Sequence, residues 1–453
     1  MSDKNPTDKN LNLVVIVADT FRADHLGCYG NPWIQTPALD ALAGEGVRFS
    51  SCYADGMPTI PERRVVFTGR SIIPMEVHGG WTPLRPDDIT LPAVLQNHGY
   101  TTAFMTDTYH YFKPNMNFHA NFDAWEWIRG QENDNWKSGP RDQFDPRDYM
   151  PEHLWNLEGA GGRSYDEFMR QYLMNTQDIR TEADYFCART FRRSMTWLER
   201  HDREHPFMLF IDTFDPHEPW DAPQRFREMY YDDYPCERFL FGYGVRNEDI
   251  RPEDHEAIRA LYAAEVSFVD MWIGRFLDRL EELGYGDDTV IVFTSDHGTH
   301  LGEEGYFQKT PSLLNSVVAQ LPLIIRHPDR TFGGTEVDAL VSSVDFMPTF
   351  LDMLAIEDQP AMDGTSVWDL ATGKKAALHE RVYSQFGSFA AVRDLNWHYF
   401  QPQNEASPGR GAHLYDLSED PEETTNVLED HPDVVEEMRA HLEGRLDMTL
   451  PDV

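Results

Sequence analysis

Polar side chains follow three apolar segments of the chain, at the point where each segment ends. Asp19 comes directly after NLVVIVA (Asn12–Ala18), Asp215–His217 follows FMLFI, and Ser295–His297 follows VIVFT. Continuous runs rich in β-branched residues are typical of strands buried on both faces of a parallel sheet. Ligands of such sheets bind at the carboxyl ends of the strands. We therefore expect these polar segments to meet in one site.

Asp19, Asp296 and His297 are the candidate ligands of one divalent cation. A carboxylate at the end of a buried strand costs folding energy unless a cation or hydrogen-bond donors satisfy it. Two carboxylates and an imidazole suit Mn, Zn or Fe better than Ca, which prefers oxygen ligands only. Asp212 and His217 are candidates for a second ion, but no further histidine ligand is evident, so one ion is predicted. The alternative is structural: Asp19 caps a helix and Asp296 closes a turn.

Thr59 is the candidate nucleophile. With Glu62 it has the spacing of a capping box, and Pro61 suits the first turn of a helix. Thr59 could therefore be only a helix N-cap. A hydroxyl at a helix start also lies where backbone N–H groups favour an incoming anion. Arg63, one turn further on, could hold the nucleophile or bind substrate oxygens.

Further polar residues could complete the site. His217 could donate a proton to a leaving oxygen, and Lys309 could return to the same pocket. Considered singly, such a histidine is more often structural and such a lysine is more often on the surface. Thr106, Asp107 and Thr108 could line the substrate pocket or close a turn.

The pattern of elements predicts an α/β fold with a largely parallel central sheet. Leu323–Ile325 is a further buried strand of this type, and the clearest helical pattern runs from about Ala257 to Leu283. Gly284 is a helix stop signal. We predict a catalytic domain over residues 1–370, with a polar insertion at about 131–163 that shapes substrate choice. A small C-terminal α+β subdomain would cover residues 371–453, with short strands and an acidic helix from about Pro432.

Charge and composition narrow the class of protein. The chain has 453 residues, 39 Lys plus Arg and 77 Asp plus Glu, a net charge of −38. This balance argues against a nucleic-acid-binding surface, and an anionic substrate would need a metal or a few local cations. The N-terminus lacks the pattern of a secretory signal, no apolar run is long enough for a membrane span, and the four cysteines lack metal-type spacing. We expect a cytoplasmic protein with no membrane partner; a homo-oligomer stays possible.

The chain resembles the sulfatase branch of the alkaline phosphatase superfamily, which includes phosphonate monoester hydrolases and phosphodiesterases. The resemblance rests on these segments in order: VIVADTFRADHLGCYGN (Val15–Asn31), TPALDALAGEGVRF (Thr36–Phe49), PTIPERRVVFTGR (Pro58–Arg70), DPHEPW (Asp215–Trp220), SDHGTHLGEEG (Ser295–Gly305), PLIIR (Pro322–Arg326) and LYDLSEDPEETTN (Leu414–Asn426). It implies an alkaline phosphatase-like α/β fold with a small C-terminal sheet subdomain, and hydrolysis of a small anionic ester. It also implies roles for individual residues: metal ligands at Asp19, Asp296 and His297, the nucleophile at Thr59 with Arg63 as the arginine of its motif, leaving-group and substrate-oxygen residues at His217 and Lys309, and a substrate-pocket segment at Thr106, Asp107 and Thr108.

The sequence departs from the family pattern at two positions. Many sulfatases have two adjacent aspartates where this chain has Asp19 and Thr20, and the missing carboxylate weakens a calcium assignment. Sulfatases place a Cys or Ser at the head of C-x-P-x-R and oxidise it to formylglycine, whereas this motif begins with Thr59. A secondary alcohol cannot give that aldehyde.

The lone hydroxyl of Thr59 affects the expected substrate. A threonyl ester must be released by water attacking the central atom, which a metal and cationic donors support well for phosphorus. The sequence therefore favours a phosphate or phosphonate ester, monoester or diester. The alternatives are a sulfuric ester hydrolase that works without formylglycine, and a catalytically silent homologue that binds an anion.

Overall fold

The computed structural model describes residues 11–75, 78–154, 165–242, 247–405 and 411–452. Its strands are, in chain order, β1 (Asn12–Ala18), β2 (Val47–Tyr53), β3 (Gly56–Met57), β4 (Thr101–Thr106), β5 (Ala124–Trp127), β6 (Phe207–Thr213), β7 (Thr289–Ser295), β8 (His300–Leu301), β9 (Phe307–Gln308), β10 (Gln320–Arg326), β11 (Thr335–Val337), β12 (Val341–Ser342), β13 (Val382–Phe386), β14 (Phe389–Arg393), β15 (Trp397–Pro402) and β16 (His413–Asp416). Its α-helices are α1 (Pro37–Glu45), α2 (Thr59–Thr68), α3 (Leu91–Asn97), α4 (Tyr165–Thr176), α5 (Phe186–Arg200), α6 (Gln224–Arg227), α7 (His255–Glu282), α8 (Ser316–Ala319), α9 (Phe346–Met353), α10 (Trp368–Ala371) and α11 (Pro432–Leu446).

The central sheet is mixed, with a parallel middle. Its strand order is β11-β2-β10-β7-β1-β6-β4-β5, and β12 also pairs with β2. The run from β7 to β5 is parallel throughout, whereas β10 runs antiparallel to both of its neighbours. The expectation that Leu323–Ile325 lies in a parallel strand is therefore wrong. The link from β7 to β10 contains only a two-stranded ribbon and the four-residue α8, not the long crossover helix that parallel neighbours usually need.

Each face of the central sheet has its own hydrophobic core. Every residue of β1, β6 and β7 is buried. Val14 and Ile16 of β1 belong to the core on one face, and Leu13 and Val15 belong to the core on the other. This alternation follows from the two-residue repeat of a strand and explains why the strands are continuously apolar.

Helix α7 confirms the clearest helical pattern in the sequence. It covers His255–Glu282, and Gly284 follows with a positive φ of 76° that favours glycine. Its apolar side packs with α5 in the core beside β6. No helix in the described ranges has the length and apolar character required to cross a membrane.

A second sheet lies near the C-terminus and reaches back to the start of α2. Strands β13 to β16 are consecutive and antiparallel, and β13, β14 and β15 contain the three predicted short strands. Helix α11 begins at Pro432, as predicted, and packs on this sheet. Strand β3, two residues before Thr59, pairs in parallel with β13 through Gln385↔Gly56 and Phe386↔Met57. The second sheet therefore helps to hold the segment that leads into Thr59. The predicted domain limit at residue 370 stays a prediction.

The predicted insertion at 131–163 is described as far as residue 154. Over that stretch it forms short 3₁₀ turns at Arg141–Gln143, Pro146–Tyr149 and Glu152–Leu154. Residues 155–163 lie outside the described ranges. The side chain of Gln131 contacts residues that follow β4 and β6, so the insertion begins at the carboxyl edge of the sheet.

Candidate active site

Asp19, Asp296 and His297 converge at the carboxyl ends of β1 and β7. Each offers one ligand atom, and these atoms lie within 4.8 Å of one another. All three side chains are buried. The pairing of Ala18 with Ser295 in the sheet places the two strand ends side by side, so the following residues meet. Among the described residues these three form a group that could hold a metal ion.

Several polar atoms of this group have no hydrogen-bond partner in the described structure. They are both carboxylate oxygens of Asp19, Nε2 of His297 and the hydroxyl of Thr20. Buried polar atoms are rarely left unpaired, because desolvation costs free energy that no contact returns. Thr20 also has a left-handed backbone, with φ of 57°, which is unusual for a β-branched residue. Strain of this kind concentrates at functional sites.

The imidazole of His297 is arranged like that of a metal ligand. Its Nδ1 lies 2.9 Å from the carbonyl oxygen of Gly298, which accepts the ring proton. Nε2 then carries the lone pair, and it lies 3.4 Å from Asp296 and 4.0 Å from Asp19. A histidine that binds a metal usually donates its other ring N–H to a carbonyl group in this way. Burial lowers the pKa of His297 to about 4, which keeps the ring neutral and able to bind a cation.

The guanidinium group of Arg63 lies among three carboxylates. Its Nη2 is 3.0 Å from Oδ2 of Asp19, in an ion pair without hydrogen-bond geometry, and its Nη1 donates to Asp296. Its Nε and Nη2 donate to Asp212 at 2.9 and 3.1 Å. Tyr111 also donates to Asp212, at 2.6 Å, and accepts from Nε of Arg63. Arg63 is therefore held on one side by Asp212 and Tyr111 while its other side faces the candidate metal ligands.

Thr59 is the first residue of α2, and its side chain is buried. The helix cap is Pro58, and no side chain forms a cap hydrogen bond there. Glu62 does not complete a capping box, because its carboxylate accepts from the backbone N–H of Gly56 at 3.0 Å. The alternative that Thr59 is only an N-cap is therefore wrong. The spacing of Thr59 and Arg63, four residues apart, places both on one face of α2.

His217, Lys309 and Glu218 form a connected group beyond the end of β6. Nζ of Lys309 lies 2.7 Å from Nε2 of His217 and 3.5 Å from Oε1 of Glu218. An ammonium group can only donate, so Nε2 of His217 accepts, and Nδ1 donates to the backbone oxygen of Glu218 at 2.6 Å. Burial and the charge of Lys309 lower the pKa of His217 well below its ordinary value. His217 is thus neutral, and its Nε2 accepts the hydrogen bond from Lys309.

The segment Thr106–Thr108 is fully buried and makes contacts within the protein. The hydroxyl of Thr108 donates to Asp212 at 2.5 Å, and that of Thr106 accepts from the backbone N–H of Thr108. Asp107 accepts from the backbone of Phe214 at 2.9 Å and from Gln131. These contacts position Asp212 and the end of β6. The predicted contact of Thr106, Asp107 and Thr108 with substrate stays a prediction.

The balance of charge in the group is negative. Asp19, Asp212 and Asp296 supply three carboxylates, against the cations Arg63 and Lys309. Burial and the charge of Asp296 raise the pKa of Asp19 well above its ordinary value. Burial acts on Asp296 in the same direction, but the charge of Arg63, joined at low pH by that of protonated His297, outweighs it and holds the pKa of Asp296 below the usual range. A divalent cation fits this donor set, because it would compensate the surplus carboxylate and the unpaired oxygens.

Some of these residues could not be identified from the sequence. Tyr111 lies in a polar stretch with no motif, and only its contact with Asp212 and Arg63 reveals a role. Asp212 ends an apolar strand, which marked it as a possible ligand of a second metal ion, but in the structure it pairs with Arg63. Glu218 stands inside the DPHEPW motif, and the presence of an acid beside His217 was the available signal.

Comparisons with known proteins agree with this fold and identify the family. The family model for sulfatases matches residues 11–356, and the model for the C-terminal part of N-sulphoglucosamine sulphohydrolase matches residues 302–449. The chain is 26% identical to an arylsulfatase of Clostridium perfringens, over 96% of this chain and 95% of the relative. It is 25% identical to an N-acetylglucosamine-6-O-sulfatase of Bacteroides thetaiotaomicron, over 93% of this chain and 83% of the relative.

A solved structure of similar fold is the phosphonate monoester hydrolase of Agrobacterium radiobacter. The TM-score is 0.76, with 22% identity and coverage of 96% of this chain and 95% of that one. The likeness confirms the alkaline phosphatase-like α/β fold predicted from the sequence. The sulfatase model covers more than half of the chain and includes the ends of both β1 and β7. The chain belongs to the sulfatase family and is a hydrolase of ester bonds.

Proposed function

We propose that the protein hydrolyses a sulfuric ester of an organic alcohol, with Thr59 as nucleophile and one divalent cation held by Asp19, Asp296 and His297. The observation that carries this proposal is the position of Arg63. It reaches two of the three candidate ligands while it shares a helix face with Thr59. The hydroxyl, the candidate metal ligands and a cationic donor therefore belong to one site.

The similarity to sulfatases favours a sulfuric ester over a phosphate or phosphonate ester as the substrate. The sequence favoured a phosphate or phosphonate ester because Thr59 cannot form formylglycine. The relatives named above are sulfatases, and the family model is that of the sulfatases. These findings favour the sulfuric ester, which stood as the alternative. A phosphate or phosphonate ester is the second candidate, because the lone hydroxyl of Thr59 suits in-line release by water at phosphorus.

We assign the steps of the reaction to the residues of the site as follows. A bound divalent cation would supply Lewis acidity at the ester and favour ionisation of the nucleophile. Oγ of Thr59 gives its proton to water and attacks the central atom, and the bond from that atom to the alcohol oxygen breaks. Lys309 gives the leaving oxygen a proton, and Arg63 donates to a non-bridging oxygen. Water then attacks the threonyl ester, releasing the inorganic anion and restoring the hydroxyl of Thr59.

The proposed function is tested by a substrate panel on wild type, Thr59→Ala and Thr59→Ser. The panel is 4-nitrophenyl sulfate, 4-nitrophenyl phosphate, bis(4-nitrophenyl) phosphate and 4-nitrophenyl phenylphosphonate, each with Mn²⁺, Zn²⁺, Fe²⁺ or Ca²⁺. We expect kcat/KM to be highest for the sulfate and to fall roughly a thousandfold or more in Thr59→Ala. Thr59→Ser should retain much of the activity, because it keeps a hydroxyl.

Thr68→Ala is the matched control, since Thr68 ends the same helix and its hydroxyl donates only to the carbonyl of Arg64. A higher kcat/KM for the phosphonate or phosphate would replace the proposal with the second candidate. Full activity of Thr59→Ala would refute the role of Thr59. Failure of wild type to turn over any ester with any ion would favour the silent anion-binding alternative.

A further inference from the structure

Arginines are concentrated around a cleft on the outer side of α5. The cleft has a volume of about 450 Å³, and four guanidinium groups line it, from Arg189, Arg192, Arg193 and Arg279. Two carboxylates share the lining, at Asp184 and Glu199. The lining therefore has a net positive charge, whereas the chain as a whole has a net charge of −38. The reaction proposed above uses none of these residues.

The arginines of the cleft are only partly neutralised. Arg193 lies 3.0 Å from Glu126, and Arg279 lies 2.8 Å from Glu199. Within the described ranges, no carboxylate lies within ion-pair distance of Arg189 or Arg192. The existing pairs are at the surface, where an ion pair contributes little and opens easily. The cleft therefore offers guanidinium donors to an anion from solution.

An exposed aromatic ring stands beside the arginines. Trp136 is 36% exposed, and its ring lies 5.5 Å from the guanidinium carbon of Arg189 and 4.5 Å from Nζ of Lys137. A Trp face with flanking cations suits a ligand that combines apolar C–H surface with negative charge. A sugar ring that carries an anionic substituent has both properties.

The cleft is connected to the candidate active site through the start of the insertion. Nε2 of Gln131 donates to Asp215 at 2.6 Å, two residues before His217. A Cβ atom on Gly130 would lie 2.6 Å from Phe186 and 2.7 Å from Trp136, so the insertion packs tightly on the first residue of α5. Arg189 is only three residues further along, and a helix rises about 1.5 Å per residue. These contacts connect the leaving-group side of the site to the first turn of α5, where Arg189 joins the lining of the cleft.

We propose that this cleft, with Trp136, is an accessory site for a second anionic group on the leaving portion of the substrate. That portion would be a short chain of sugar rings with more than one sulfate, phosphate or carboxylate group. The inference rests on the proposed function for the identity of the cleaved bond, but not for binding at the cleft. Because charges are screened beyond about 8 Å at physiological ionic strength, the local arginines outweigh the distant acidic surface.

Binding is measured by calorimetry on the full-length protein, without reference to turnover. The probes are a heparin-derived octasaccharide, tetragalacturonate and neutral maltotetraose, against wild type, Arg192→Glu/Arg193→Glu and Arg192→Gln/Arg193→Gln. We expect the anionic probes to bind wild type and the Glu variant to bind them about tenfold or more weakly, because charge-assisted hydrogen bonds are lost. The Gln variant should fall between them. Arg85→Glu/Arg251→Glu, with two exposed arginines elsewhere, makes the same change in net charge and should bind like wild type.

Binding of tetragalacturonate would show that carboxylates suffice, whereas binding of the heparin fragment alone would show that sulfate is required. Turnover of 4-nitrophenyl sulfate should be the same in wild type and both Arg192/Arg193 variants, because this ester is too small to reach the cleft. Unchanged binding in the Glu variant, equal binding of maltotetraose, or no binding of either anionic probe to wild type would overturn the inference. If Thr59→Ala loses turnover but still binds the anionic probes, both proposals are supported. If Thr59→Ala keeps both turnover and binding, only the proposed role of Thr59 is overturned.

Discussion

Two buried clusters of charge in the described part of the chain differ in how completely their carboxylates are paired. In the candidate active site, the three carboxylates of Asp19, Asp212 and Asp296 share the guanidinium group of Arg63, and both oxygens of Asp19 lack a hydrogen bond. The other cluster surrounds Glu423, where one carboxylate faces several donors. The carboxylates of both clusters are buried, so burial alone does not explain the difference.

The Glu423 cluster joins the C-terminal sheet to the central part of the chain. Glu423 accepts from the backbone N–H of Ser316 at 2.7 Å and from its hydroxyl at 2.6 Å. Arg393 of β14 donates to the same carboxylate, and Nδ1 of His398 of β15 lies 3.2 Å away. Here one carboxylate accepts from a guanidinium group, a hydroxyl and a backbone N–H, as in a cluster whose role is to hold elements together. In the active-site cluster the carboxylates outnumber the cationic side chains, as in a cluster that binds a cationic ligand.

The largest effect on stability should come from removing the acid of the paired cluster. Glu423→Gln leaves Arg393 and His398 buried without their carboxylate, and we expect a loss of about 3–5 kcal/mol in the free energy of unfolding. Chemical denaturation measures it. Glu422→Gln is the control, because the neighbouring Glu422 is exposed. Equal stability of the two variants would show that the Glu423 cluster does not hold the sheets together.

Removing a cation from the active-site cluster should affect turnover more than folding. In Lys309→Ala the leaving oxygen loses its proton donor, and we expect kcat/KM to fall about a hundredfold for esters of weakly acidic alcohols. Esters of 4-nitrophenol should lose less, since this alcohol leaves without a proton. The comparison of an alkyl and an aryl sulfate measures the effect. An equal loss on both esters would argue against proton donation by Lys309.

Removing an acid from the active-site cluster should change the free energy of unfolding in the opposite direction from Glu423→Gln. Asp19→Asn removes a buried carboxylate that lacks hydrogen bonds. The metal-free variant should therefore unfold at the same temperature as wild type or a higher one, and its free energy of unfolding should be higher by up to about 1 kcal/mol. Saturating Mn²⁺ should stabilise wild type, by about 2.7 kcal/mol at a hundredfold excess over Kd, and leave the variant unchanged. Calorimetric scans with EDTA and with Mn²⁺ test both statements. Destabilisation of the EDTA-treated variant would contradict the comparison.

The smallest expected effect is a pH dependence of the stability that the paired cluster provides. Burial opposes ionisation of Glu423, but the charges of His398 and Arg393 outweigh burial and hold its pKa below the ordinary value of 4.5. A carboxyl group with a depressed pKa stabilises the fold above its unfolded pKa and loses that contribution as pH falls through the folded pKa. The stability difference between wild type and Glu423→Gln should therefore be constant above about pH 5.5 and shrink below about 4.5. A stability difference that grows as the pH falls would contradict a lowered pKa of Glu423.

The position of the candidate metal ligands was predictable, because it depends on local patterns. Apolar runs identified β1 and β7 as buried strands, and the polar residues that follow such strands must lie at the same edge of a parallel sheet. The same reasoning failed for β10. Strand direction depends on how the connecting segment folds, and the apolar composition of a strand is similar in either direction.

The sequence by itself determined the α/β class, the strand ends that carry Asp19, Asp296 and His297, and the motif that contains Thr59. The reason is that burial on two faces, helical periodicity and motif spacing are properties of short segments. Only the tertiary structure decided what surrounds Arg63. Its partners Tyr111 and Asp212 are 48 and 149 residues away along the chain. Contacts at such separations arise from packing of the sheet and helices, which also shows that Thr59 does not cap α2 and that the arginines of α5 meet Arg279 at one cleft.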